Sequence, residues 1–215
     1  MNRVWRTAIG GATTLFAAAA FGFAIGASKN LLYAWRSAIK VPLLLLGTAT
    51  ICAATYLLTA ALLGVPLRLR ALVSAAGSVF IALARLLGAL APAVWFLGQT
   101  MTPPSGPDLG GYPLFVGTGI AVIACAGAIA VVHQTRTLQC ELGIDKNRAR
   151  WTTLAWLLVT LAVGGQFAFW LRPFFGIASL TGEPPFLLGS EPTVTGARNF
   201  YEVVWQFVRG VTLPR

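Results

Sequence analysis

Five long apolar runs, separated by short polar segments, set the rhythm of this chain. The most continuous is Ala71–Leu97, ALVSAAGSVFIALARLLGALAPAVWFL, with 27 residues; about 20 suffice to cross the hydrocarbon layer of a bilayer. The others are Ala8–Ala27, Val41–Leu63, Leu114–Val132 and Trp151–Leu171. None shows the strict alternation of a half-buried strand, so each predicts a membrane helix. Ala8–Ala27 is the ambiguous run. Its basic start (Arg3, Arg6) and its alanines at 17–20 also suit a secretory signal, and an interfacial or re-entrant helix is a further alternative. Its length favours a retained, crossing helix. The predicted architecture is therefore all-α: a single membrane-embedded domain over residues 1–215 with five transmembrane helices, or four if Ala8–Ala27 does not cross.

The spacing of small and polar residues assigns faces to these helices. Ser74, Ser78, Arg85, Gly88 and Pro92 follow helical spacing, which predicts a protein-facing stripe opposite bulky Phe80, Leu83, Leu87 and Leu90. Arg85 lies near the middle of its run. A charge at that depth costs at least about 2.5–3.5 kcal/mol, so it needs another helix, a wet cavity or a lipid headgroup. Gly22-x-x-x-Gly26 permits close helix approach, and Gly117, Ala121, Ala124 and Ala128 predict a second tightly packed face.

The segments between runs carry the turn and interface chemistry. Lys29, Arg36 and Lys40, with Tyr33 and Trp35, read as a connector at the headgroup level before Pro42 opens the next helix in its first turn. Gly64–Arg70 is a short basic loop, and Gln99–Pro113 is rich in proline and glycine. Gln134–Arg150 is the most charged loop. Trp170-Leu171-Arg172-Pro173 ends the last run with an aromatic anchor, a snorkelling arginine and a helix breaker. In the tail from 177, Asn199–Arg209 reads as a short amphipathic interfacial helix with Phe200, Val203, Val204 and Phe207 along one stripe.

Charge adds an orientation. The chain carries 16 basic and 6 acidic residues. With five spans and the N-terminus inside, Arg3, Arg6, Arg68, Arg70, Arg136, Lys146, Arg148 and Arg150 fall on one side. Lys29, Arg36, Lys40 and Arg172 fall on the other. Eight against four places Gly64–Arg70 and Gln134–Arg150 in the cytoplasm; Lys29, Arg36 and Lys40 fit that arrangement poorly. The basic flanks suit anionic lipid heads rather than nucleic acid, since no basic face with interleaved aromatics occurs.

Candidate chemistry is sparse. All six acids, Asp108, Glu141, Asp145, Glu183, Glu191 and Glu202, lie outside the runs, whereas ion-coupled transport usually needs a carboxylate within the membrane. The lone histidine, His133, cannot supply a multi-ligand metal site, and it stands seven residues from Cys140, about 10 Å along a helix. Cys52 and Cys125 read as buried thiols, and the three cysteines form no disulfide framework. The sequence predicts no catalytic residue, cofactor or metal.

Three pieces carry a family resemblance: Phe21-Gly22-x-x-x-Gly26, Ala38-Ile39-Lys40-Val41-Pro42-Leu43-Leu44 and Leu171-Arg172-Pro173-Phe174-x-Gly176. In order and spacing they resemble a loosely defined group of uncharacterised bacterial polytopic membrane proteins, distantly similar to the five-span Yip-type family. The resemblance implies a bacterial inner-membrane bundle and no particular activity. The functional expectation is a non-enzymatic accessory or scaffold subunit that works through helix–helix and anionic-lipid contacts, by self-association or with other membrane subunits. Its candidate lipid, ligand or packing positions are Arg85, Ser74, Ser78, Gln166 and Arg172. The alternative is a small-molecule or anion transport component with a polar path around Arg85 and Gln166.

Overall fold

The computed structural model describes residues 3–65, 69–101, 112–141, 143–172, 174, 186–187, 198–202 and 205. Arg68, the loop 102–111 and most of the tail beyond 177 lie outside the described residues, as do the side chains of Arg3, Arg6 and Arg70 and the surroundings of Gly117. The described residues form long helices and no strand: α1 (Arg3–Gly26), α2 (Leu31–Leu62), α3 (Leu69–Met101), α4 (Tyr112–Arg136) and α5 (Lys146–Trp170). Four contain stretches long and apolar enough to cross a membrane, namely Leu31–Leu62, Val73–Thr100, Thr118–Cys140 and Lys146–Trp170. This is the architecture of a multi-pass, all-α helical bundle. In α1 the described apolar stretch, Gly10–Gly26, is shorter.

Local chemistry sets the helix ends. The side chain of Asn30 accepts the Tyr33 N–H at 2.9 Å and starts α2, and Asp145 accepts the Asn147 N–H at 3.0 Å and starts α5. α2 ends on Gly64 at φ 67°, where the Gly64 N–H bonds to the Ala61 carbonyl and the Val65 N–H to that of Ala60. That pairing satisfies the last carbonyls of the helix, and the left-handed turn favours glycine. Arg148 then donates to the Gly64 carbonyl at 3.0 Å, tying the start of α5 to the end of α2. The loop expected over Gln134–Arg150 is mostly helical: α4 runs to Arg136, a π-turn covers Thr137–Glu141, and α5 begins at Lys146.

Close contacts give the direction of each pair. A Cβ added at Gly22 would run into the Ser37 carbonyl, and one at Gly26 into that of Tyr33, so α1 and α2 touch backbone to backbone and antiparallel. The expected Gly22-x-x-x-Gly26 contact is thus internal to the chain. Gly88 of α3 lies against Ala17 of α1, and Gly98 against Ser28, which makes α1 and α3 parallel. Thr48 against Gly164, and the Trp156 indole N–H on the Tyr56 carbonyl at 3.1 Å, set α2 antiparallel to α5. One apolar core joins Phe21 and Ile25 of α1 to Val41, Leu87, Val94 and Phe115; a second gathers Cys52, Tyr56, Ala75, Leu138 and Trp156 toward the other end.

Three expectations change here. The connector over Lys29–Lys40 is helical from Leu31, and Pro42 sits inside α2 rather than in its first turn. A proline there removes one helix bond, which packed neighbours make tolerable in membrane helices. Ala121, Ala124 and Ala128 face outward, so the small face of α4 does not pack in the bundle. α4 buries instead the stripe of Phe115, Ala126, Ala130 and Gln134. Cys52 is buried, but Cys125 is exposed on the same outward side of α4.

Candidate functional site

The polar residues of the helices fall into four settings, and two of them hold cations. The first is on α2. Tyr33, Arg36, Ser37 and Lys40 repeat at helical spacing, and Tyr33, Ser37 and Lys40 are only 2, 0 and 1 % exposed. Leu31, Leu32, Trp35 and Ile39 of the same turns are exposed. This part of α2 is therefore polar inside and apolar outside, the reverse of a helix on a soluble protein. The chain leaving α5 covers the polar side. Ser37 Oγ donates to the Phe174 carbonyl at 2.9 Å, and the Lys40 ammonium lies 5.9 Å from the Phe174 ring centre and 5.2 Å from that of Phe186. Aromatic faces at such distances attract a desolvated cation by about 2 kcal/mol, which offsets part of the several kcal/mol it costs to bury the charge. At the mouth of this region the Lys29 ammonium stacks 5.4 Å from the Tyr33 ring centre, and partial desolvation lowers its pKa below the ordinary lysine value. Sequence reading missed this site because it assigned Arg36 and Lys40 to a connector at the headgroup level.

Arg85 is the second cation. It lies in the middle of α3, exposed, and no described residue forms a hydrogen bond or ion pair with it. The core side of α3 is Ala84, Leu87, Ala91, Val94 and Gly98, roughly opposite the Ser74–Ser78–Arg85–Pro92 stripe at 100° per residue. That stripe is a real helical face, but apart from Gly88 it is the outward one. Ser74 is exposed; Ser78 is half-buried and donates to the Ala75 carbonyl of its own helix at 2.8 Å, which lets a hydroxyl face an apolar medium. Leu87, expected among the outward bulky residues, is buried.

The third setting explains the interruption Gly164-Gly165-Gln166 in α5. Gly164 accommodates Thr48 of α2, and a Cβ at Gly165 would lie 2.6 Å from the Phe200 ring. Gln166 accepts the Phe200 N–H at 3.3 Å, and the Tyr201 hydroxyl donates to the Ala162 carbonyl. The described part of the C-terminal helix thus docks on α5, and Gln166 is its clasp. Arg85 faces outward from α3, whereas Gln166 bonds Phe200 of the C-terminal helix. Arg172 folds back on α5: its Nε donates to the Phe169 carbonyl at 2.7 Å, and the guanidinium lies 3.5 Å from the Phe169 ring centre. Pro173 and Gly176 of the same motif lie outside the described residues.

The fourth setting is a polar knot between α2 and α5. The Trp156 indole N–H reaches both the Tyr56 carbonyl and Thr59 Oγ1, the latter at 3.0 Å, and the Tyr56 and Thr160 hydroxyls bond each other. Interhelical hydrogen bonds of this kind contribute on average about 0.6 kcal/mol each. Three of the four settings hold and orient helices; the Arg85 face of α3 does not. Among the described residues no group of three His, Cys, Asp or Glu side chains could hold a metal ion, and His133 and Cys140 are both exposed at the end of α4 and the π-turn. Compared with known proteins, the chain matches no family model, no curated sequence and no solved structure.

Proposed function

We propose that this chain is a non-enzymatic integral membrane protein of the bacterial inner membrane, an accessory or scaffold subunit that works through helix–helix and lipid contacts. The outward small face of α4 carries this reading. Inside the bundle, Gly22, Gly26 and Gly88 sit where α1 meets the backbone of α2 and of α3. On α4 the small residues Ala121, Ala124, Cys125 and Ala128 are left uncovered, interleaved with exposed Ile120 and Val132, and a Cβ at Gly127 would touch nothing within 4 Å. In lipid, where apolar area alone drives little association, such surfaces are where further helices pack. α1 is then the fifth crossing, since it runs beside α3 in register from Ala17 to Ser28. Anionic lipid heads gather at the basic ends of the helices.

Cys125 reports directly on this surface. In native membranes holding the Cys140→Ser protein, oxidation is expected to give a discrete disulfide-linked product through Cys125, to a second copy or to a partner subunit. Ala124→Leu, whose added bulk projects outward, should abolish that product and leave the fold intact. A protein that stays monomeric in membranes and in mild detergent, with Cys125 open to a lipid-soluble maleimide throughout, would sink the reading.

A further inference from the structure

Arg85 is close to the centre of the apolar stretch Val73–Thr100 and points away from the core. The ends of α3 are sixteen residues away on either side, about 24 Å at 1.5 Å per residue, several times the length of an arginine side chain. The chain's own spans hold no answer to this charge: none of α1–α5 contains an Asp or Glu. The surface around it suits a helix. Of its neighbours one turn away, Ala82, Gly88 and Ala89 are small and Ile81 is the one bulky exposed group, so a second backbone can come near on the Ala89 side. An uncompensated cation in hydrocarbon is best met by an opposite charge at the same depth.

We propose that this face of α3 receives a transmembrane helix of another subunit bearing an aspartate or glutamate near mid-membrane, and that the carboxylate pairs with Arg85. The inference rests on the accessory-subunit reading and names the partner's chemistry. The guanidinium presents a planar fork of N–H donors that a carboxylate meets with two parallel bonds. A lysine at the same place would offer charge without that fork.

The test reconstitutes the full chain into phosphatidylcholine vesicles with synthetic Leu/Ala transmembrane peptides that differ at one central position, Asp or Leu. A donor dye on Cys125, with Cys140→Ser, and an acceptor on the peptide read association by energy transfer. The Asp peptide should bind about tenfold more tightly than the Leu peptide, the equivalent of about 1.4 kcal/mol. Arg85→Leu should remove that excess, and Arg85→Lys should keep part of it. Because Arg85 is exposed and bonds no described residue, Arg85→Leu is expected to fold, which its unchanged elution and helicity would confirm. Equal binding of the two peptides, or an excess that survives Arg85→Leu, overturns the proposal. Loss of the excess when phosphatidylglycerol is added would also overturn it, by assigning Arg85 to lipid headgroups. Failure here leaves the Cys125 product untouched, so the two readings fall separately.

Discussion

Lys40 and Arg85 are both cations within long apolar helices, and the structure treats them in opposite ways. Lys40 is shut inside, under the rings of Phe174 and Phe186 and beside Ser37. Arg85 is turned outward among small side chains. The protein invests its own chain, brought back from beyond α5, to cover the first charge, and leaves the second at its surface. Burial of a charge within a fold is a packing problem that the chain solves alone. A charge left outward at mid-helix is a problem for whatever surrounds the protein. The two sites therefore separate what holds this bundle together from what the bundle offers to others.

The largest expected effect tests that separation. Lys40→Ala removes three buried methylenes, the ammonium and its aromatic contacts, and should cost about 2–4 kcal/mol of stability in denaturant titrations in mild micelles. Both variants remove the charge and its desolvation penalty, but Lys40→Met fills most of the space of the stem and should therefore cost less than Lys40→Ala. Arg85→Ala in the same assay should stay within about 0.5 kcal/mol, as exposed positions usually do. If Arg85→Ala destabilised the isolated protein as much as Lys40→Ala does, the contrast between the two cations would be lost.

The next effect concerns what places Lys40 at all. The polar side of α2 is set by the close approach of α1 at Gly22 and Gly26, where added side chains would strike the backbone of Ser37 and Tyr33. A flexible neighbour could yield; a helix backbone can do so only by moving the whole α1–α2 pair. Gly22→Ala should therefore cost about 1–3 kcal/mol, the range for forcing extra volume into a packed core. Gly77→Ala on α3, the helix of Arg85, meets nothing within 4 Å. It should be neutral or gain up to about 0.5–1 kcal/mol from helix propensity. Equal effects at the two glycines would show that α1 and α2 are not in backbone contact.

The same pair of sites shows what could be read from residues alone. The helices were legible because each is a long apolar run that contains no acid, and four of them are long enough to cross a bilayer. Gly22-x-x-x-Gly26 marked a face open to close approach, a spacing common in membrane helices, and only the structure shows that α2 fills it. The faces were harder. Basic and aromatic residues close together suit a headgroup-level connector as well as a helix whose polar side looks inward, so Lys29–Lys40 read as a connector. Its period was nonetheless present, with Tyr33, Arg36, Ser37 and Lys40 at i, i+3, i+4 and i+7. The Arg85 stripe and the α4 alanines were seen as faces but assigned inward, because spacing defines a face without saying what it meets. The cover over Lys40 was out of reach: Phe174 and Phe186 lie more than 130 residues away in sequence. So was the clasp at Gln166, whose partner Phe200 follows a turn-rich stretch with no periodic signal.

The smallest effect sharpens how Lys40 is covered. Ser37 sits one turn before Lys40 and donates its hydroxyl to the Phe174 carbonyl across the seam between α2 and the chain leaving α5. Ser37→Ala removes that donor and little volume, so the cost is that of one hydrogen bond, about 0.5–1.5 kcal/mol. Ser37→Thr keeps the donor but adds a methyl group at a position with no exposed surface, so the two variants separate loss of the bond from crowding. If the bond holds the cover, Ser37→Ala should raise hydrogen exchange at Leu171 and Arg172 while the N–H groups of Tyr56 and Trp156, in the other core, keep their protection. Unchanged exchange at Leu171 and Arg172 would mean that the rings of Phe174 and Phe186 on Lys40 suffice, and the hydroxyl would then be a minor partner in covering that charge.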